Sequence, residues 1–456
     1  MRTLFAPDQP GAGPAADSPI QDIAVIGSGI SGLSAAWLLS RRHRVTLFEA
    51  DSRPGGHSHT VDVATPCGTV AVDTGFIVFN EAAYPNLTAL LDHLGVPTRD
   101  AEMSFAVSLD QGALEYSGSG LSGLFAQRGN LLRPRFWSML RDLVRFYREA
   151  PGEAGRFGLL PLDDYLDRRG YGRAFRDDHL YPMAAAIWST PAARIGDYPT
   201  EAFVRFCENH QLLTLGRRDA WRTVEGGSRS YVQRLCALLG DRLRLGSAAI
   251  EVRRTGQGVQ VRSHGRPDAE RFDQVVIATH ADQALRLLPD ARADETKLLG
   301  AFRYSRNRAV LHSDPALMPR RRAVWSSWNY LAERGRAEAL SVSYWMNRLQ
   351  GIDAATPLFL TLNPIHEPAP AHHIRTETYE HPLFDADAMR AQAGLWSLQG
   401  RDRTWFCGAY FGSGFHEDGL QAGLAVAEAL GQVRRPWQVA NESGRLRLPA
   451  AGVSAS

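Results

Sequence analysis

Lysine is almost missing from this chain. Of its 456 residues 51 are basic, and only Lys297 among them is a lysine. A GxxxxGK[ST] phosphate loop therefore cannot be built, which excludes P-loop nucleotide hydrolysis. A lysine Schiff base would have Lys297 alone to draw on, in the helix-like stretch 293–300, where no motif supports it. Cysteine is scarce as well: Cys67, Cys207, Cys236 and Cys407 form no CxxC pair. Zinc ribbons and dithiol redox motifs have no support, no metal site is expected, and the spacing reads as reduced thiols in the cytoplasm. Excess charge is missing too. Acidic residues number 49, leaving +2, so a dedicated nucleic-acid binder is not expected. Residues 23–40 carry no charge, but Gly and Ser break the run, and it reads as strand, turn and helix rather than a membrane span. Residues 1–21 are rich in Pro, Gly and Ala without an apolar signal core and read as a disordered tail.

What is present is a globular composition, 44% hydrophobic and 22% charged. At about 150 residues per domain the length suggests three units, or two with one discontinuous. Short β-branched runs predict strands at 22–26, 44–48 and 68–73, with helices at 33–42 and 84–94. A hairpin is expected at 105–116 and arginine- and aromatic-rich helices over 121–223. Strands follow at 243–253, 258–263 and 272–279, short strands and loops over 291–399, a strand at 405–409 and a helix at 418–430. The expected fold is α/β. A discontinuous nucleotide-binding domain covers 22–100, 225–290 and 400–435, an inserted α+β substrate domain covers 101–224 and 291–399, and 436–456 form a flexible tail.

One motif carries chemistry. Gly27-Ser28-Gly29-Ile30-Ser31-Gly32 is a G-x-G-x-x-G that follows a strand, opens a helix and is followed by Glu49 at the end of the next strand. Gly27 permits the tight turn, Gly29 lets the backbone approach a pyrophosphate, and Gly32 lets helix and sheet close up. The helix N-terminus offers free N–H groups to phosphates, and Glu49 is placed for a ribose hydroxyl. A second match, Gly118 to Gly123, lacks the flanking strands and acid and reads as a loop into the inserted domain. With one fingerprint, a separate nicotinamide site is not expected.

Arg53-Pro54-Gly55-Gly56-His57 follows Glu49, and Asp73-Thr74-Gly75-Phe76 follows a later strand. Cys407-Gly408-Ala409 and Gly414-Phe415-His416-Glu417-Asp418-Gly419 stand near the C-terminus. On these residues the chain resembles the flavin-containing amine oxidase and phytoene desaturase superfamily. The resemblance implies a Rossmann-like domain holding noncovalent FAD. It places Arg53, Gly55, Gly56 and His57 along the pyrophosphate and flavin, and Gly75, Phe76 and Ile77 near the ring. Val252 would meet adenine through its backbone, Gly408 the phosphates, and Gly419, at a helix N-terminus, the flavin N1/O2 edge. The sequence departs from the superfamily where His57 replaces a cation and where a lysine near flavin N5 is often found.

Within the superfamily the chain resembles bacterial flavoproteins that occur with cyclopropane-fatty-acid-synthase-like methyltransferases. The stretches are Tyr181-Pro182-Met183, Ile187-Trp188-Ser189, Ala278-Thr279-His280-Ala281-Asp282-Gln283, Trp325-Ser326-Ser327-Trp328-Asn329-Tyr330 and Tyr344-Trp345-Met346-Asn347. This implies dehydrogenation of a fatty acyl chain, methylated or not, by hydride transfer to flavin N5, with a lipid methyltransferase as partner. The alternatives are oxidation of a small amine and a non-catalytic flavoprotein assisting a methyltransferase. His416 and His59 are the candidate bases, each also readable as structural. Trp188, Tyr410 and Phe411 line an apolar pocket or belong to plain core. Residues 131–148 form a basic aromatic helix, which lies on the inner face of the cytoplasmic membrane or packs on the core.

Overall fold

The computed structural model describes residues 19–188, 192–214, 220–333 and 340–448. The expected N-terminal tail up to residue 18, Ser189 and residues 449–456 lie outside these.

A five-stranded parallel sheet forms the nucleotide half, in the order Leu243–Arg244, Arg44–Phe48, Asp22–Ile26, Gln274–Ile277, Thr404–Phe406. Its central strand is buried from Ile23 to Ile26, as an apolar run covered on both faces must be. The helix Ile30–Leu39 buries all ten residues. The uncharged stretch is therefore a core strand and helix, and among the described residues no helix is long and apolar enough to cross a membrane. The helix His416–Gly431 packs against it. A Cβ on Gly423 would lie 2.2 Å from the Ser31 carbonyl oxygen, so the two backbones nearly touch.

The strand expected over 243–253 is two strands. Leu243–Arg244 ends the parallel sheet, and Ala249–Thr255 joins an antiparallel sheet with Gly258–Ser263 and Glu270–Phe272. Gly246, at φ +60°, turns the chain between them, and Ser247 N–H donates to the Glu49 carbonyl at 2.7 Å.

The second half is a seven-stranded sheet in the order His373–Leu383, Arg303–His312, Phe359–Leu362, Leu340–Trp345, Trp328–Ala332, Phe105–Leu109, Leu114–Ser117. All neighbours are antiparallel except Trp328–Ala332 with Phe105–Leu109. That parallel pair joins chain from the two separated insertions in one sheet. The strands over 291–399 are longer than expected, because alternating residues in 303–312 and 373–383 share faces over ten and eleven positions. The helical segment 176–188 packs on the sheet, against Phe105–Leu109 and Trp328–Ala332. Residues 436–448 correct the expected flexible tail: Trp437 stacks on Trp37 at 5.7 Å and Leu446 is buried. The described end of the N-terminal tail is likewise tied down, since Gln21 N–H donates to His43 Nδ1 at 3.2 Å.

Candidate functional site

One cavity of about 1900 Å³ runs between the two halves. A pocket for one drug-sized ligand measures about 300–1,000 Å³, so there is room for two ligands.

The fingerprint forms one end. Gly27 sits at φ +99°, and a Cβ there would lie 2.9 Å from the Ala278 carbonyl oxygen. A Cβ on Gly32 would lie 1.8 Å from the Gly27 carbonyl oxygen, while one on Gly29 meets nothing within 4 Å. Two glycines thus serve close packing and the third faces the open cavity. Glu49 Oε2 accepts from Ser28 N–H at 2.8 Å, and its Oε1 from Asp51 N–H at 2.8 Å. The Arg53-to-His57 loop is stitched to this turn. Gly55 N–H donates to the Ser28 carbonyl at 3.0 Å, and Phe76 N–H to the His57 carbonyl at 2.8 Å. Asp73 closes the other side, accepting from Ser228 N–H at 3.0 Å and Ser228 Oγ at 2.7 Å.

Of the expected cofactor residues, Gly27 to Ser31, Glu49, Arg53, Gly55, Gly56, His57, Gly75, Phe76, Ile77, Gly408 and His416 stand on the cavity wall. Val252 does not: its N–H donates to the Leu287 carbonyl at 2.8 Å, and the wall is made by Ala248, Ala249 and Ile250. A register shift between Ala249 and Glu251 sets this offset. Gly419 is also off the wall. The last helix begins at His416, which leaves Gly419 against Ile30 and Ser31 of the fingerprint helix and gives Ser413, Gly414 and Phe415 its place beside the cavity.

The two expected bases fare differently. His59 is not on the cavity wall; its Nδ1 faces Tyr379 Oη at 3.1 Å, and burial, then nearby Arg53, pushes it down to about 4. His416 is on the wall, but its ring stacks on Phe76 at 3.9 Å and its Nε2 accepts from Tyr231 Oη at 2.6 Å. Burial pushes His416 down to about 3. It is a neutral imidazole held by a tyrosine, a poor proton acceptor near neutral pH. Trp188 and Tyr410 line the cavity. Phe411 packs behind Tyr410 and Trp396 instead.

Sequence reasoning missed a histidine cluster. His57, His280 and His381 share the wall, with ring centroids 5.4 Å (His57 to His381) and 6.3 Å (His57 to His280) apart. Burial lowers all three, His57 well below the usual range and His381 to about 4. His280 stacks on Tyr304 at 4.3 Å, and its Nδ1 lies 3.5 Å from Glu380 Oε2. His57 Nε2 is buried with no hydrogen-bond partner among the described residues. Among those residues no group of His, Cys, Asp and Glu is arranged to hold a metal. The available signal was alternation: Tyr379 and His381 share one face of the strand 373–383.

The far lobe is mainly apolar, with the hydrogen-bonded Tyr116, His179 and Tyr147 beside Met183. Leu140, Leu143 and Val144 of the helix Pro134–Glu153 face it, joined by Leu124, Met183 and Ile187. Its aromatic rim, Trp188 with Phe206 at 4.4 Å and Phe206 with Phe415 at 4.6 Å, leads toward the last helix. Lys297 is exposed on the helix Ala293–Leu299, away from the cavity. Cys407 is fully buried, off the wall, and its thiol is pushed upward by burial.

The chain matches the family of flavin containing amine oxidoreductases over residues 30–430. It belongs to that family. A curated relative in Mycobacterium tuberculosis, provisionally named a flavin-containing monoamine oxidase, is 29% identical over 257 residues, 53% of either chain. Protoporphyrinogen oxidase 2 of Arabidopsis thaliana is 43% identical over 75 residues, 16% of this chain and 14% of that one. The chain thus spans about half the length or less of the curated relatives it matches. Among solved structures, putrescine oxidase with putrescine superposes with a TM-score of 0.65 at 15% identity, covering 90% of this chain and 99% of that one. A fatty acid isomerase from P. acnes that produces CLA superposes at 0.60 and 14%, covering 90% and 98%. Both likenesses are of fold.

FAD is the cofactor of this family, and the near end of the cavity fits it. The helix N-terminus has no acidic residue in its first turn to oppose phosphate. Gly29 leaves its approach open, and Arg53, Gly55, Gly56 and His57 continue the wall beside it.

Proposed function

We propose that this member of the family is an FAD-dependent oxidoreductase that dehydrogenates a fatty acyl chain, methylated or not, of a membrane lipid. The observation that carries the reading is the far lobe. Leu124, Leu140, Leu143, Val144, Met183 and Ile187 offer a hydrocarbon chain an apolar surface to lie against. An ammonium substrate would need a carboxylate there. Glu102, Glu377 and Glu380 stand on the wall, and they already pair with Arg348, Arg375 and Arg306.

When bound, FAD supplies the two-electron acceptor. The protein's part is to hold the acyl carbons beside it, exclude water and take up a proton. For the proton, His280 suits better than His59 or His416. It lines the cavity, and its Nδ1 lies 3.5 Å from Glu380 Oε2, a carboxylate that would stabilise a charged ring. Cells with and without the protein, compared by lipid mass profile, test the reading. A two-hydrogen deficit in acyl chains that depends on the protein supports it; rapid reduction of the bound flavin by simple amines and none by host lipids overturns it.

Oxidation of a small amine is the second reading, favoured by the relatives' names. Peroxide release on an amine panel separates the two. The lone lysine, exposed on the helix Ala293–Leu299, adds no support to this alternative.

A further inference from the structure

The arginine-rich helix was a candidate to lie flat on a membrane, and its side-chain placement corrects that expectation. Phe136, Met139, Phe146 and Tyr147 are buried, and Leu140, Leu143 and Val144 face the cavity. Its apolar stripe is spent inside the protein. The apolar surface that remains lies at its start and just before it. Leu132 is 87% exposed, Leu121 75%, and Leu131 and Trp137 49% each. Four of the eleven exposed large apolar side chains among the described residues therefore fall within 17 positions. Such clustering marks an interaction surface, where scattered single residues would not.

The patch is rigidly presented. Trp137 Nε1 donates to the Leu131 carbonyl at 2.9 Å, Asn130 Nδ2 to the Glu115 carbonyl at 3.0 Å, and Arg133 to the Ala113 carbonyl at 2.6 Å. From Tyr116 to Arg141 the chain holds Arg128, Arg133, Arg135 and Arg141 and no carboxylate. Arg135 is paired with Asp177 and Asp178, and Arg141 with Asp142. Arg128 and Arg133 have no carboxylate partner among the described residues. Apolar side chains beside two arginines without a carboxylate partner among the described residues match an anionic bilayer: the side chains would enter the acyl boundary and the guanidinium groups would meet lipid phosphates.

The same elements wall the apolar lobe. Gly118, Ser119, Gly120 and Leu124 line the cavity from the short helix Gly120–Leu124 and the turn before it, and Leu140 lines it one turn beyond Trp137. We infer that residues 121–137 dock the protein end-on against an anionic membrane and set the apolar lobe beside the lipid. The statement about what enters rests on the acyl reading; the docking does not.

The test is flotation of the full-length, FAD-loaded protein with vesicles of phosphatidylcholine alone or mixed with phosphatidylglycerol. Binding is expected to the mixed vesicles only and to weaken with salt. Leu132→Glu with Trp137→Glu should lower it more than about tenfold, and Arg128→Glu about fivefold or more. Leu238→Glu, at an exposed leucine elsewhere, should leave it unchanged, and an unaltered flavin spectrum shows that each variant is folded. Wild-type protein that floats with neither vesicle overturns the proposal and assigns the patch to a protein partner. Variants that float as wild type overturn it as well. Turnover of acyl substrate in detergent micelles tests the substrate reading separately, since micelles need no docking.

Discussion

The two ends of the cavity are built by opposite means. The nucleotide end is made mainly of backbone: Gly27, Gly29 and Gly32 act through the absence of a side chain, and the ligand would meet N–H groups with Glu49, Arg53 and His57 beside them. The far lobe is made of side chains from several separate elements, and the histidine cluster between the two comes from three more. Close backbone packing at Gly27 and Gly32 tolerates almost no substitution, because a Cβ there has nowhere to go. A wall of leucines tolerates change in size but not in polarity. The first kind of site is written in a motif; the second is a sum of burial patterns.

The comparison can be broken at either end. The largest effect is expected from Gly32→Val, whose side chain would enter space already filled by the Gly27 carbonyl. Flavin absorbance of the purified protein should vanish, and soluble yield should fall. Leu143→Asp should do the reverse. FAD should bind normally while acyl turnover falls by about a hundredfold, since a desolvated carboxylate costs at least about 3 kcal/mol; unchanged turnover would remove the lobe from the substrate path.

Acid tests the middle of the molecule. His416 and His210, pushed down to about 3, and His381, to about 4, bind protons more weakly folded than unfolded. Unfolding therefore takes up protons below about pH 6.5, and stability present above that value is lost as pH falls. Each such ring should cost about 2 kcal/mol between about pH 7 and about pH 5, read as a falling denaturation midpoint. A flat profile over that range would mean the rings are accessible to water. A smaller effect, about tenfold in FAD affinity, is expected from Glu49→Gln by titration. The smallest is Tyr231→Phe, which leaves His416 Nε2 without its 2.6 Å donor and should cost about 1–2 kcal/mol of stability with FAD still bound.

Legibility followed the same division. The strands 22–26 and 44–48, the glycine turn and Glu49 could be read because each is a local rule: apolar run, positive φ, acid at a strand end. Val252 and Gly419 were misplaced for geometric reasons, a register shift in one strand and an earlier helix start, that no single residue announces. His59 and His416 sit in motifs near the cofactor, yet burial and tyrosine partners decide what each can do. His381 had no motif at all; it reaches the cavity only because its strand pairs with Arg303–His312 at the edge of the larger sheet.

By itself the sequence determined the family, the cofactor and the fold of the nucleotide half, because phosphate binding at a helix N-terminus depends on glycines a few residues apart. It also determined that the only lysine is Lys297. Tertiary structure alone decided that this lysine faces water, that three histidines meet on one wall, and that the arginine-rich helix turns its apolar stripe inward and leaves a small basic, apolar end exposed. Those outcomes depend on which surfaces bury one another, and burial is a property of the assembled chain.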